Sequence, residues 1–197
     1  MKRLVIQLLV AGMVISPSLF AGTIKGNVKA RGARNGGDAV IYIESITGKT
    51  FAPPTKHAEF NQKNLMFQPH VLAVLAGTTV DFLNSDDVMH NVFSPDKCAD
   101  KFNLGTWPKG QMRSYTFKNA GCQAVVLCNV HPEMEAWVVV TGTPYFAVSE
   151  KNGNYEIKDV PPGTYTLKIW HEKLKGKDQT ITVPEKGDVT ANFTITR

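Results

Sequence analysis

The stretch CNVHPEM, residues 128–134, places a thiol, an imidazole and a thioether at its first, fourth and seventh positions. Apolar runs flank it, AVVL before it and AWVVV after it, and both are typical of buried strands. A turn between two core strands gains nothing from a cysteine, a histidine and a methionine gathered together. A soft metal ion, by contrast, binds all three kinds of side chain. The stretch therefore predicts a metal site at this turn.

A fourth ligand must come from elsewhere in the chain. Copper that alternates between two oxidation states suits thiolate and thioether together with imidazole, and two histidines, one cysteine and a distant methionine form the blue-copper site. His90 is the best candidate, because it follows the strand-like run TTVDFL and the polar loop NSDD and begins another strand, HNVF. For His57, His70 and His171 we expect surface or hydrogen-bonded roles.

Two longer segments extend the pattern, namely FQPHVLAVLAGTTVDFLNSDDVMHNVFS and AGCQAVVLCNVHPEM. Together they resemble the small cupredoxins of the plastocyanin/amicyanin type over roughly residues 57–142, and the spacing C-x2-H-x2-M is that of amicyanin. The resemblance implies a Greek-key β-sandwich and one type-1 copper ion bound by His90, Cys128, His131 and axial Met134. It also implies that electrons pass through the histidine of the C-terminal loop.

The resemblance also suggests residues that support the ligands. Asn91 is expected to tie the two ligand loops together, with its backbone N–H donating to the sulfur of Cys128. Val130 stands where plastocyanin and amicyanin have proline and keeps its N–H, so we predict a second N–H···S bond. That bond would withdraw electron density from the thiolate and raise the reduction potential. Pro132 matches amicyanin.

Acidic residues leave one alternative open at the axial position. Glu133 and Glu135 flank Met134, and a glutamate ligand in its place would give a site like that of the red-copper nitrosocyanin type. Met89 is expected to face away from the site, since neighbours on a strand point to opposite faces. Met66 is expected to pack in the core or at the rim.

An apolar docking face around His131 is a further expectation from the family. Phe93 and Trp107 are the candidates for it, with plain core packing as an equal alternative.

The N-terminus and the cysteines indicate an oxidising compartment. Residues 1–21 have a basic start, an apolar stretch and a small residue at the end, which predicts a cleaved signal peptide and a periplasmic or secreted protein. Three cysteines are present, and an odd number there leaves one thiol for another use. With Cys128 as metal thiolate, Cys98 and Cys122 would form a disulfide.

The remaining chain predicts an all-β fold with a second, smaller sandwich. Short β-branched runs alternate with Gly, Pro and Asn turns. Residues 145–197 resemble the carboxypeptidase regulatory-like (transthyretin-like) domain through NGNYEIKDVPPGTYTL. Residues 22–50 hold two strands that could complete this sandwich, so that the cupredoxin domain, residues 51–144, would be inserted into it. Alternatively, those strands extend the sheet of the middle domain.

Composition and missing motifs limit the classes of function that we expect. Removal of the signal peptide lowers the formal charge from +5 to +3, and the charges are interspersed, so we expect no nucleic-acid partner. No later segment is long and apolar enough to span a membrane. Paired-histidine motifs of copper enzymes are missing, which favours an electron carrier that is not an enzyme. The resemblance to cupredoxins implies a c-type cytochrome or a periplasmic dehydrogenase as redox partner. Copper delivery and a docking or scaffold role are the alternatives.

Overall fold

A computed structural model describes residues 21–197, so the predicted signal peptide lies, apart from Ala21, outside the described residues. The described chain is all-β, as the sequence predicts, with one short 3-10 helix, η1 (Lys97–Ala99). Its strands are β1 (Gly22–Ala30), β2 (Val40–Ile43), β3 (Ala58–Gln62), β4 (Phe67–Gln68), β5 (Val71–Leu75), β6 (Thr78–Asn84), β7 (His90–Phe93), β8 (Asn103–Trp107), β9 (Met112–Phe117), β10 (Gln123–Leu127), β11 (Glu135–Thr141), β12 (Phe146–Val148), β13 (Asn154–Val160), β14 (Gly163–Trp170), β15 (Gln179–Val183), β16 (Val189–Thr190) and β17 (Phe193–Ile195).

Strands β3 to β11 form two sheets, which we call the central sandwich. One sheet has the order β5-β11-β10-β7-β8 and the other β4-β3-β6-β9. Strand β6 shows why the sequence folds this way, because every second residue of TTVDFLN is buried. Val80 and Phe82 from this strand join Phe60, Phe117 and other apolar side chains in one core between the sheets.

A tight turn joins β5 to β6 at the end of the sandwich far from CNVHPEM along both strands. Gly77 lies in it with φ of +88°, a conformation that side-chain-bearing residues rarely adopt. The β-carbon of any other residue there would also lie 3.0 Å from Pro53. The turn therefore requires glycine for two reasons, and it carries the chain from one sheet of the central sandwich to the other.

The remaining eight strands form a second body, the outer sandwich. One sheet has the order β13-β1-β16 with β17 also paired to β1, and the other has the order β12-β2-β14-β15. Both N-terminal strands, β1 and β2, thus hydrogen-bond to strands from residues 146–195 and, within the described chain, to no strand of the central sandwich. This is the pairing that an inserted central domain requires. The boundaries at residues 50/51 and 144/145 stay a prediction.

Alternation along β14 supplies the core of the outer sandwich. Tyr165 and Leu167 are buried, and Ile169 packs partly buried against the same core. The hydroxyl of Tyr165 donates to the carbonyl of Pro161 at 2.9 Å, which fastens the PPG turn to the strand that follows it.

Apolar side chains join the two sandwiches face to face. Val71 and Val139 of the central sandwich pack with Val40 and Tyr42 of the outer one in a separate buried cluster. At its edge the rings of Trp137 and Trp170 lie 5.4 Å apart. Strand β11 begins one residue after Met134, so this interface lies directly beside the predicted metal-binding turn.

A disulfide joins Cys98 of η1 to Cys122, just before β10, as the sequence predicts. Cys128 is the free cysteine of the described chain and is buried.

Candidate metal centre

Three of the predicted ligands converge in the structure. The Nδ1 atoms of His90 and His131 lie 3.1 Å apart, and each lies 4.0 Å from the sulfur of Cys128. Among the described residues 21–197, these three side chains form the one group of metal-binding residues that lie close enough together to hold an ion. His90 and Cys128 are buried, whereas His131 is partly exposed.

Strand pairing explains the convergence. Strands β7 and β10 are antiparallel neighbours, with Leu127 in register with Phe93. His90 begins β7, and Cys128 directly follows β10. The chain then bends, and the backbone N–H of Met134 donates to the carbonyl of His131 at 3.0 Å, which closes the turn before β11.

A carboxylate fixes the imidazole of His90. Its Nε2 lies 2.9 Å from Asp86 Oδ2. Because an ionised carboxylate only accepts, Nε2 carries the proton and Nδ1 is left to bind a metal. Burial raises the pKa of Asp86, but hydrogen bonds from Leu65 N–H, from His90 and from Asn64 N–H outweigh it and hold the pKa below its usual range.

The loop before His90 is itself held by hydrogen bonds. Asn84 is buried, and its amide donates to the carbonyls of Val88 at 2.8 Å and Trp107 at 3.0 Å. Its side-chain oxygen accepts from the N–H of Asp86 at 2.9 Å. These contacts place the Asp86 carboxylate within hydrogen-bond distance of His90 Nε2. Sequence reasoning missed both Asn84 and Asp86; the signal available was an acidic residue four positions before the ligand histidine.

Asn91 ties the two ligand loops together, as expected. Its backbone N–H donates to Cys128 Sγ at 3.4 Å, and its side-chain oxygen accepts from the N–H of Asn129 at 3.2 Å. Its amide donates in turn to Gly105 O at 2.8 Å and Asn103 Oδ1 at 2.9 Å.

The second N–H···S bond, predicted from Val130, is not formed. Among the residues that the structure describes, Asn91 is the backbone donor to the sulfur. Val130 lies in the bend after β10 with its side chain 46% exposed, so the chain has already turned toward solvent at that point. Pro132, which follows the ligand His131, is exposed as well.

Burial distinguishes the candidates for the axial position. Met134 is 1% exposed and packs in the central core together with Cys128. Glu133 and Glu135 on either side of it are exposed. An ionised carboxylate is costly to bury and a thioether is not, so the bend naturally turns the methionine inward.

Of the two alternatives left open for Trp107, a docking face or core packing, the structure shows core packing. Trp107 is fully buried, in register with His90 across β7 and β8, and the guanidinium of Arg113 lies 5.6 Å from the centre of its ring. An indole of this size on an inward-facing strand position fills the core. Phe93 is half-buried, so its share in a docking face stays a prediction.

Other side chains form the exposed apolar surface near the ligands. Leu65, Val88, Met89 and Val130 are each between 42% and 46% exposed, and we call this group the apolar rim. All four lie on the loops that hold or flank the ligands. Met89 thus faces away from the site, as predicted. Met66 is 54% exposed, so it does not pack in the core.

The remaining histidines have protein partners, as expected. His57 Nδ1 contacts Asp81 at 3.0 Å, and His70 Nε2 contacts Glu172 at 3.3 Å. His171 is buried, and its Nδ1 accepts the N–H of Lys173 at 3.0 Å. Burial lowers the pKa of His171 more than the nearby carboxylates raise it.

The donor set fits copper. Two imidazole nitrogens and one thiolate are the ligands that copper takes in both of its common oxidation states, with the thiolate favouring Cu(I). The buried, hydrogen-bonded ring of His90 and the N–H donor to the sulfur are the supports that such ligands need to keep their orientation.

Comparison with family models gives two matches. Residues 55–141 match the copper binding proteins of the plastocyanin/azurin family, and residues 132–196 match the carboxypeptidase regulatory-like domain. The two ranges overlap in β11, which pairs with β5 and β10 of the central sandwich. Neither range includes β1 and β2. No curated protein matches the chain.

Solved structures with similarity to this chain include three copper proteins. The copper-containing nitrite reductase from Thermus scotoductus SA-01 is 23% identical over 51% of this chain and 25% of its own, with a TM-score of 0.42, so this chain spans a quarter of its length. A purple cupredoxin from Nitrosopumilus maritimus is 25% identical over 43% and 99%, with a TM-score of 0.38. A mutant of amicyanin in its Cu(I) form is 26% identical over 43% and 81%, with a TM-score of 0.40.

The fold, the donor group and the family matches define the class of protein. The central sandwich has a cupredoxin-like copper-binding fold, and the match of residues 55–141 to the plastocyanin/azurin family confirms the resemblance predicted from the sequence. The resemblance of the C-terminal segment to a carboxypeptidase regulatory-like domain is confirmed as well. Within residues 21–197, no helix has the length and hydrophobicity needed to cross a bilayer.

Proposed function

We propose that this protein is a periplasmic or secreted electron carrier, with one copper ion bound by His90, Cys128, His131 and axial Met134. The observation that carries the proposal is that the Nδ1 atoms of His90 and His131 and the Sγ atom of Cys128 lie within 4.0 Å of one another. Asp86 holds the other ring nitrogen of His90. Copper supplies a one-electron couple at such a site.

Several contacts restrict movement of the donors. Cys128 follows a central strand, Asp86 holds His90, and the N–H of Asn91 holds the sulfur. The buried side chain of Met134 excludes water from the inner side of the group. A site that moves little on oxidation loses little free energy to rearrangement, which favours fast electron transfer.

Exchange with a partner is proposed to occur at His131. This ligand is partly exposed, whereas His90 is buried. We propose that the apolar rim of Leu65, Val88, Met89 and Val130, which lies on the loops that hold or flank the ligands, contacts a redox protein, either a c-type cytochrome or a periplasmic dehydrogenase. Loose apolar contact of this kind suits a short-lived complex.

In this proposal the protein carries electrons and catalyses no reaction. The residues that the structure describes gather one metal-binding group of three side chains, whereas a copper enzyme of the oxidase or reductase kind needs a further site for its substrate.

An absorption spectrum of residues 22–197 after addition of Cu(II) tests the proposal. We expect an intense blue band from thiolate-to-copper charge transfer, absent in Cys128→Ala and unchanged in Met89→Leu. A red colour would mean that Glu133 or Glu135, rather than Met134, is the axial ligand. A colourless protein would refute the copper assignment.

The carrier role needs its own measurement. The blue protein mixed with a reduced c-type cytochrome should bleach within seconds, and the rate should fall when Val130 is replaced by Glu at the apolar rim. A blue protein that exchanges electrons with neither a cytochrome nor a small-molecule reductant would contradict the carrier function while leaving the copper site intact.

A further inference from the structure

A cavity of about 520 Å³ opens beside the ligand loop, on the side of Met134. The turn between β3 and β4 contributes Met66, and the residue before β5 is His70. The ligand loop contributes Met134 and its two glutamates, and the loop after β14 contributes Glu172. The cavity therefore lies where the central and outer sandwiches meet.

Its lining includes donors for copper. Met66 offers a thioether that is 54% exposed, and the side chain of His70 is 38% exposed. Thioethers bind Cu(I), and imidazole binds copper in either state. Among the large apolar side chains that are exposed in the described chain, Met66 has the highest exposed fraction.

The cavity also attracts cations. Glu133, Glu135 and Glu172 line it against one lysine, Lys173. Burial raises the pKa of Glu172, but hydrogen bonding and charge from Lys173 and His70 outweigh it and hold the pKa below its usual range. The excess of negative charge raises the local concentration of a metal cation.

His70 and His90 share one arrangement. The Nε2 of His70 lies 3.3 Å from Glu172, as the Nε2 of His90 lies 2.9 Å from Asp86. A carboxylate on Nε2 leaves Nδ1 as the ring atom that binds a metal. Both histidines thus have a carboxylate beside Nε2, one inside the core and one at the surface.

We propose that this cavity is a copper-acceptance site, in which Met66 and His70 hold an incoming Cu(I) ion before it reaches the buried ligands. Met134 borders the cavity while being 1% exposed, so its thioether is the first of the buried ligands along this path. Transfer exchanges ligands without moving an electron, and the Cys128 thiol releases its proton to solvent as the thiolate binds. The inference rests on the proposed copper site and adds the route by which it is filled.

Uptake kinetics test the route. The metal-free chain, residues 22–197, is mixed with Cu(I) held by bicinchoninate, and loss of the chelate's absorbance gives the rate. Met66→Leu combined with His70→Asn should slow uptake about tenfold with the same final copper content. Met112→Leu removes a thioether of similar exposure, 51%, outside the cavity and should leave the rate unchanged. Equal rates in all three proteins, or equal slowing in both variants, would overturn the proposal.

A second measurement separates this inference from the electron-carrier proposal. In Cys128→Ala the blue site is lost by design, and Ag(I) serves as a redox-inert substitute for Cu(I). Methionine methyl resonances are followed by NMR as Ag(I) is added below one equivalent. Met66 should shift before Met89 and Met112. If Met89 or Met112 shifts first, or if none shifts, the cavity does not accept the ion, whatever the colour of the unmodified protein.

Discussion

His90 and His131 contribute Nδ1 atoms that lie 3.1 Å apart, yet the chain surrounds the two rings differently. His90 is fully buried at the start of β7, and its second ring nitrogen is held by Asp86. His131 lies partly exposed in a bend between β10 and β11. The first ligand is fixed by polar contacts made before any metal arrives. The second is placed mainly by the two strands that flank its loop.

This difference separates two tasks. A ligand inside the core preserves the geometry of the site, because core side chains have few alternative positions. A ligand at the surface brings the metal centre within reach of a partner. One loop could not do both, since burial that fixes a ring also hides it.

The largest effect should come from removing each ring in turn. His131→Gly leaves a gap open to solvent, so added imidazole should enter it and restore the blue band. His90→Gly leaves a gap behind Trp107 and Asn91, where imidazole from solution does not reach. The measurement is the absorption of each Cu(II)-loaded variant with and without imidazole. Rescue of both variants to the same extent would remove the distinction between a buried and an open ligand.

A smaller effect is expected from the support of His90. Asp86→Asn keeps the size of the side chain but loses the charged acceptor for Nε2–H. Copper affinity should fall by about 10- to 100-fold, the usual cost of losing such a support. Competition with a chelator measures it.

The adjacent carboxylate provides the matched control for that experiment. The Asp87 side chain is 89% exposed and pairs with Lys109 at the surface. Asp87→Asn should leave the affinity unchanged. Equal losses in both variants would mean that general charge, rather than the contact to His90, supports the ligand.

The hydrogen bonds by which Asn91 joins the two ligand loops should contribute to the stability of the fold. Asn91→Ala removes the acceptor for the N–H of Asn129 and the donor to Gly105. We expect a loss of about 1–3 kcal/mol in the free energy of unfolding of the metal-free protein, because each of the lost hydrogen bonds contributes about 0.5–1.5 kcal/mol. Urea denaturation measures it, with the exposed Asn129→Ala as control. A loss below that of the control would show that the strands alone hold the two loops together.

Features set by local spacing could be predicted from the sequence, whereas contacts that depend on how loops fold could not. His90, Cys128 and His131 were identified because ligand types and spacing are local features, and the disulfide followed from the number of cysteines. Asp86 was missed, since its role depends on how the loop from Asn84 folds back on the ring. For Trp107 the sequence left a docking face and core packing as equal alternatives, because strand pattern alone does not say which face of β8 looks into the core.

The smallest effect is expected at Val130. Its N–H makes no bond to the sulfur within the described chain, so Val130→Pro should leave the reduction potential and the blue band unchanged. Voltammetry of both proteins gives the comparison, and Asn91 marks the contrast because its N–H does reach the sulfur. A lower potential with an intact spectrum would mean that the ligand loop closes further when copper binds and brings the Val130 N–H to the thiolate. His131 would then be held by its own loop as firmly as His90 is by Asp86, and the division between a fixed and an open ligand would apply only to the metal-free protein.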